Sequence, residues 1–191
     1  TIGHRTSQVF ATGGEDRHLN LWQVGSRNPR SSFGPFQSSI TACRFNSTEE
    51  MIVCGNNGGT VLLFDLNESR CSSNWTAHTA QVKSIKFHPQ DQRILLSCSN
   101  DGKLKVLSTS QRKPIQTYNA HSGAVNWVSY SPDGKYCATC GDDKTIRVFD
   151  LTAQKQLLKF DDAHNDSITC VELHHSQPLL ISSSDDRSIK F

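Results

Sequence analysis

The sequence contains no apolar run of 18 residues, so no segment reads as a membrane-spanning helix. No stretch repeats apolar residues at a 3.6-residue period for long enough to form a helix. Charge of one sign is not concentrated anywhere. The formal net charge of +2 favours no polyanionic partner, and no block of like charges reads as a nucleic-acid-binding arm. There is no phosphate loop, no zinc-ligand spacing and no activated nucleophile. No cofactor, metal or nucleic acid is therefore expected, and an enzyme is the least favoured class. Thr1–Ser7 lacks the apolar core of a signal peptide, and no low-complexity tract divides the chain.

Cysteine is present but odd in number: Cys43, Cys54, Cys71, Cys98, Cys137, Cys140 and Cys170. Without a secretory signal this favours a reducing compartment and buried free thiols. Cys137 and Cys140 spell C-x-x-C, but they fall within an expected strand, where an odd offset sends the thiols to opposite faces. His174-His175 stands at an expected strand end, with the two rings predicted to point opposite ways and to bind no metal. Lys103, Lys105, Arg112 and Lys113 are scattered by strand alternation and a turn, which reads as solvated surface.

What the sequence does have is a repeated set of short strands. Val125–Asp150 reads VNWVSYSPDGKYCATCGDDKTIRVFD. Val125, Val128 and Tyr130 mark one strand, Ser131-Pro132-Asp133-Gly134 a tight turn, and Tyr136–Cys140 a second strand. GDDK is another turn, and Thr145–Phe149 is a third, β-branched strand. The unit recurs. His78, His121 and His164 stand 43 residues apart, and Asp101, Asp143 and Asp186 are spaced by 42 and 43. Asp16 fits the same grid two periods before Asp101, and the skipped position falls on Gly58. Five copies at about 40–45 residues are the signature of a propeller.

The pattern resembles the WD repeat: a His before the first strand, SPDG or its equivalent, a small-residue strand, an Asp turn, then an aromatic-Asp pair. The resemblance covers the whole chain and implies an all-β, partial WD-repeat β-propeller of about four and a half four-stranded antiparallel blades. Residues 1–191 are expected to form one propeller domain cut at both ends. The first copy starts near its second strand, and the last stops at Phe191.

The resemblance also implies a hydrogen-bonded relay in each well-formed blade. His bonds the turn Asp, a Ser or Thr four residues before that Asp bonds the His, and an aromatic closes the set. Its members are His78, Ser97 and Asp101; His121, Thr139 and Asp143; His164, Ser182 and Asp186; and, without a His, Thr12, Asp16 and Trp22. In the second repeat Phe36, Cys54 and Gly58 occupy the three positions, and no network is expected there. Leu107, Phe64 and Phe149 stand where the family has tryptophan. Recurrence makes these sets staples of the fold rather than a hydrolase triad.

In this family one face commonly docks peptides or domains. The matching positions are Gln81, Lys83 and Asn100; Ala124, Asn126 and Asp142; and Ser167, Thr169 and Asp185. Ser39, Thr41, Asn57 and Glu15 extend the set. Of these, Lys83, Asn100, Asn126 and Asp142 are expected to form adjoining parts of one binding surface and not to matter for folding. The stretches FATGGEDRHLNLW and RFNSTEEMIVCGNNGGTVLLFDL look like the N-terminal propeller of the katanin regulatory-subunit family. That likeness implies a scaffold that targets a microtubule-severing ATPase, with microtubules or the ATPase complex as partners and a cytoplasmic, cytoskeletal or centrosomal place. The alternatives are a ubiquitin-ligase substrate receptor and an RNA-processing scaffold. Asn67 and Thr152, two places after Asp65 and Asp150, replace the Arg that such receptors often carry there.

Overall fold

The computed structural model describes residues 1–3 and 8–191. Its strands form five antiparallel sheets, one for each repeat. Blade 1 holds β1 (Val9–Gly13), β2 (Leu19–Gln23) and β3 (Ser31–Phe33). Blade 2 holds β4 (Ile40–Phe45), β5 (Met51–Asn56), β6 (Thr60–Asp65) and β7 (Arg70–Thr76). Blade 3 holds β8 (Val82–Phe87), β9 (Ile94–Ser99), β10 (Lys103–Ser108) and β11 (Lys113–Asn119). Blade 4 holds β12 (Val125–Tyr130), β13 (Tyr136–Gly141), β14 (Ile146–Asp150) and β15 (Lys155–Phe160). Blade 5 holds β16 (Ile168–Leu173), β17 (Leu180–Ser184) and β18 (Ile189–Lys190). In every blade the strands pair in sequence order, as a meander must when its turns are short. The start of the chain differs from the sequence expectation. Thr1–Gly3 lies beside β1, with an Ile2–Phe10 bridge and bonds from Gly3 N to Val9 O and from Ala11 N to Thr1 O, both 2.8 Å. It supplies part of an innermost strand.

The core lies between the sheets. Neighbouring residues on one strand point to opposite faces, and each face packs on a different neighbour. Cys54 joins Ala11 and Leu21 of blade 1, whereas Val53 joins Val82 and Leu95 of blade 3. Leu96 and Cys98 pack with Val125 and Cys137 between blades 3 and 4. Ala138 and Cys140 pack with Ile168 and Val171 between blades 4 and 5. The C-x-x-C pair is thus divided between two cores, and all seven cysteines are free. Blade contacts need a small residue at the end of each second strand. A Cβ on Gly13 would stand 2.3 Å from the Ile40 side chain, and one on Gly55 would stand 2.4 Å from that of Val82.

The innermost strands β4, β8, β12 and β16 neighbour one another and wall a central channel. Equal register brings Arg44, Lys86, Ser129 and Glu172 to one level of it. Thr41, Lys83, Asn126 and Thr169 come nearer its mouth.

Candidate functional site

Three blades carry a closed relay. In blade 4 the His121 Nδ1–H donates to Asp143 Oδ1 at 2.8 Å, and the Thr139 hydroxyl lies 2.9 Å from Nε2. In blade 3 the distances are 2.9 Å from His78 Nδ1 to Asp101 Oδ2 and 2.8 Å from Nε2 to Ser97 Oγ. In blade 5 they are 3.0 Å from His164 Nδ1 to Asp186 Oδ2 and 2.8 Å from Nε2 to Ser182 Oγ. Each imidazole is buried. The aspartates also accept backbone amides: Asp101 from Thr79 and Lys103, Asp143 from Ser122 and Thr145, Asp186 from Asn165 and Ser188. One carboxylate therefore closes two loops, the one before the first strand and the one between the second and third.

Sequence reasoning missed the hydroxyl two residues after the turn Asp. Thr145 Oγ1 donates to Asp143 at 2.8 Å, and Ser188 Oγ donates to Asp186 at 2.6 Å. Blade 3 has Lys103 at this position. Arg147 adds an ion pair to Asp143 at 3.4 Å. The recurring D-x-S/T spacing was the available signal.

Blade 1 departs from the expected set. Trp22 Nε1 donates to Thr12 Oγ1 at 2.8 Å, but the Asp16 carboxylate bonds neither of them and accepts the His18 amide at 3.1 Å. With no His between them, the two halves stay separate. Blade 2 also corrects the expectation of no network. Asn56, 4% exposed, uses its Oδ1 to accept the Gly58 amide at 3.0 Å and the Thr60 amide at 2.8 Å. The side chain two residues before the missing Asp thus holds the turn. Phe36, in the His position, meets Phe64 edge-on with ring centroids 5.6 Å apart, and Phe33 lies 5.2 Å from the same ring. An aromatic cluster has replaced the polar one. His174 and His175 also differ from expectation: their rings lie 4.5 Å apart, because both belong to a turn after β16, where alternation ends. Among the described residues, no three His, Cys, Asp or Glu side chains are placed to share a metal ion.

Burial pushes the His78 and His121 imidazoles below their ordinary value, against the pull of their aspartates. Burial alone would raise the Asp143 carboxyl, but the bond and charge of His121, the Thr145 hydroxyl and the Ser122 amide hold it at about 2. Blades 3 and 4 therefore hold neutral imidazoles that donate from Nδ1. Below about pH 6.5 the unfolded chain binds protons that these two folded imidazoles refuse, so stability falls with pH. A second loss follows between about pH 4 and 2, as Asp143 is protonated. Melting temperatures between pH 8 and 4 should fall steadily below about 6.5; a flat profile from neutrality to pH 5 would show that the folded imidazoles take up protons as readily as the unfolded ones.

The predicted face is assembled from the loops that the relays hold. The main chain repeats one bond in four blades: Asn57 N to Ser39 O, Asn100 N to Gln81 O, Asp142 N to Ala124 O and Asp185 N to Ser167 O, at 2.9–3.0 Å. Lys83, Asn126, Asp142, Ser167, Thr169 and Asp185 line one open depression of about 390 Å³ together with Trp127. Gln81 and Asn100 pair with each other at 3.1 Å and do not line it; neither does Ala124. Asn126 is not a free ligand. Its amide donates to Asp142 at 2.7 Å, Ser167 Oγ at 3.1 Å and Ile168 O at 3.0 Å. It ties blade 4 to blade 5, so the expectation that it is dispensable for folding is corrected. Thr41 likewise spends its hydroxyl on the Val82 carbonyl at 2.6 Å.

Below this rim is a cluster that the sequence reading did not single out. Glu172 accepts Trp127 Nε1 at 3.0 Å, Ser129 Oγ at 2.5 Å and Lys86 Nζ at 3.0 Å. Burial opposes its charge, but these donors hold its carboxyl below the usual value. Arg44 and Lys86 lie 5.4 and 5.2 Å from the Trp127 ring centre.

Family comparisons agree with this architecture. The "WD domain, G-beta repeat" model matches residues 112–150 and 154–191, and the "Anaphase-promoting complex subunit 4 WD40 domain" model matches residues 43–130. The chain is 31% identical to the probable coatomer subunit beta' of Schizosaccharomyces pombe over 63% of its own length and 15% of the relative's. It is 34% identical to the RbAp48-related WD40 repeat-containing protein prw1 of the same organism, over 68% of the chain and 33% of the relative. Cilia- and flagella-associated protein 52 of Sus scrofa is 24% identical over 96% of the chain and 29% of the relative. The chain thus spans a third or less of these relatives. The matches to repeat models and the five meander blades together support its place among WD40-repeat proteins, as a partial β-propeller.

Proposed function

We propose that this chain is a non-catalytic protein-interaction platform whose partner docks on the rim of blades 3 to 5. The observation that carries the reading is the depression in which three successive blades place Lys83, Trp127, Asp142, Thr169 and Asp185 together. Lys83 and Asp185 have no side-chain partner among the described residues and remain available to a ligand. Two tight loops per blade hold them, so little ordering entropy is lost on binding.

The finer reading is a katanin-like regulatory scaffold in the cytoplasm, at the cytoskeleton or centrosome. It rests on the two N-terminal stretches quoted above. The similarity to a cilia- and flagella-associated protein is in keeping with a microtubule setting. The test uses the full-length protein carrying Lys83→Glu with Asp185→Lys. Surface changes of this kind cost within about 0.5 kcal/mol, so the melting temperature should hold. Recovery of partners in a pull-down, and recruitment to microtubule structures, should fall roughly tenfold. Unchanged partners would remove the rim reading. Loss of ligase or splicing partners instead would keep the platform and discard the katanin-like role.

A further inference from the structure

Below the rim, the channel wall holds a positive charge that nothing among the described residues neutralises. Arg44 is half-buried on β4. Its guanidinium makes one hydrogen bond, from an Nη to the Cys43 carbonyl at 3.0 Å, and its flat face lies 5.4 Å from the centre of the Trp127 ring. No carboxylate pairs with it among the described residues. The nearby channel acid, Glu172, is already engaged by Lys86, Trp127 and Ser129.

A guanidinium has five N–H donors in a planar fork that suits a carboxylate. Four of these have no acceptor among the described residues. Arg44 opens on a cavity of about 330 Å³ whose walls include Lys83, Thr12, Ser84 and Trp127. Lys83 brings a second unpaired cation. Thr12 uses its hydroxyl oxygen to accept from Trp22, which leaves its own O–H free. Ser84 is 2% exposed, and its hydroxyl has no partner. The side of the mouth toward blades 4 and 5 is the reverse, with Asp142 and Asp185.

We propose that the pocket at Arg44, Lys83, Ser84 and Trp127 receives a carboxylate side chain from an acidic peptide segment of the docked partner. Arg44 grips the carboxylate with its fork, Lys83 closes over it, and the indole forms a flat wall. This deepens the docking reading by naming the chemistry of one subsite. It is tested on Arg44, which the rim double leaves intact, so the two readings fail separately.

The experiment titrates full-length protein with a fluorescein-labelled hexaglutamate peptide and follows anisotropy. Hexaglutamate should bind the wild type, weaken with added salt, and lose roughly tenfold in affinity with Arg44→Gln. Arg44→Lys keeps the charge but not the fork, and should fall between the two. It also serves as the folded control if the glutamine variant unfolds. Hexalysine should not compete. Equal affinity in wild type and both Arg44 variants would overturn the proposal, as would displacement by hexalysine. Inorganic phosphate is the last arm: Arg44-dependent displacement by phosphate at the peptide's own concentration would overturn the carboxylate assignment, and failure to displace supports it.

Discussion

Asp143→Ala should lower the melting temperature of the chain by about 6–12 °C, from a loss of about 3 kcal/mol spread over a domain of this size. The carboxylate accepts from His121, the Thr145 hydroxyl and the Ser122 and Thr145 amides, and it pairs with Arg147. Alanine strips all of these at once. The buried imidazole then keeps only the Thr145 hydroxyl, 3.2 Å from Nδ1, in place of a charged acceptor, and both loops lose their common anchor. Asp143→Asn retains an acceptor and should cost roughly half as much. The matched control is Asp16→Ala, at the same position of the grid, where among the described residues the exposed carboxylate holds only the His18 amide. Its expected cost is under about 1 kcal/mol. Thermal melts of the three variants decide the matter, and equal losses for Asp143→Ala and Asp16→Ala would show that the blade 4 relay contributes nothing.

The 191-residue chain should self-associate as its concentration rises. Blade 5 ends its sheet at β18, a strand of two residues with a free edge, and exposes Ile189 and Phe191 at 64% and 82%. Blade 1 presents Phe10 stacked on Trp22, 6.0 Å between ring centres. The blade 5 surface occupies the positions that blades 1 to 4 turn toward a following blade, and the blade 1 surface the positions turned toward a preceding one. The two are complementary but not identical, so contact between copies is head-to-tail and need not close. Free sheet edges add main-chain pairing to it. Light scattering should show a mass that grows with concentration. Ile189→Lys with Phe191→Ser should hold the chain near its monomer mass. A wild-type chain that stays monomeric at high concentration would show that these faces are satisfied within one molecule.

The blades were legible in the sequence because two signals coincide in each: period-two apolar alternation and turn residues at a fixed interval. The expected strands Tyr136–Cys140 and Thr145–Phe149 lie within one residue at each end of the observed β13 and β14. The relays were legible because His, Ser or Thr and Asp recur as a set. Less legible were substitutions that do the same work with other chemistry. Asn56 holds a turn that the motif assigns to Asp, and it stands two residues earlier. Asn126 sits at a ligand-binding position of the family yet spends its amide within the protein, which no spacing reveals. The channel cluster escaped notice because Arg44, Lys86, Ser129 and Glu172 share a register but no residue type. What brings them together is the closeness of the innermost strands.

The relays join residues 18 to 24 apart, and each sheet pairs strands adjacent in sequence. Nearly everything that holds a blade is therefore local, and local contacts form quickly at little cost in loop closure. The array should behave as a one-dimensional row of coupled units, in which damage to one blade is felt by its neighbours and fades beyond them. The Lys86–Glu172 pair departs from that behaviour. Its partners stand 86 residues apart and connect blade 3 to blade 5, past blade 4. It is a chord across the row and gives distant blades a shared term in cooperativity. The channel wall is thus where the modular character of the repeats ends and the row of blades begins to act as one body.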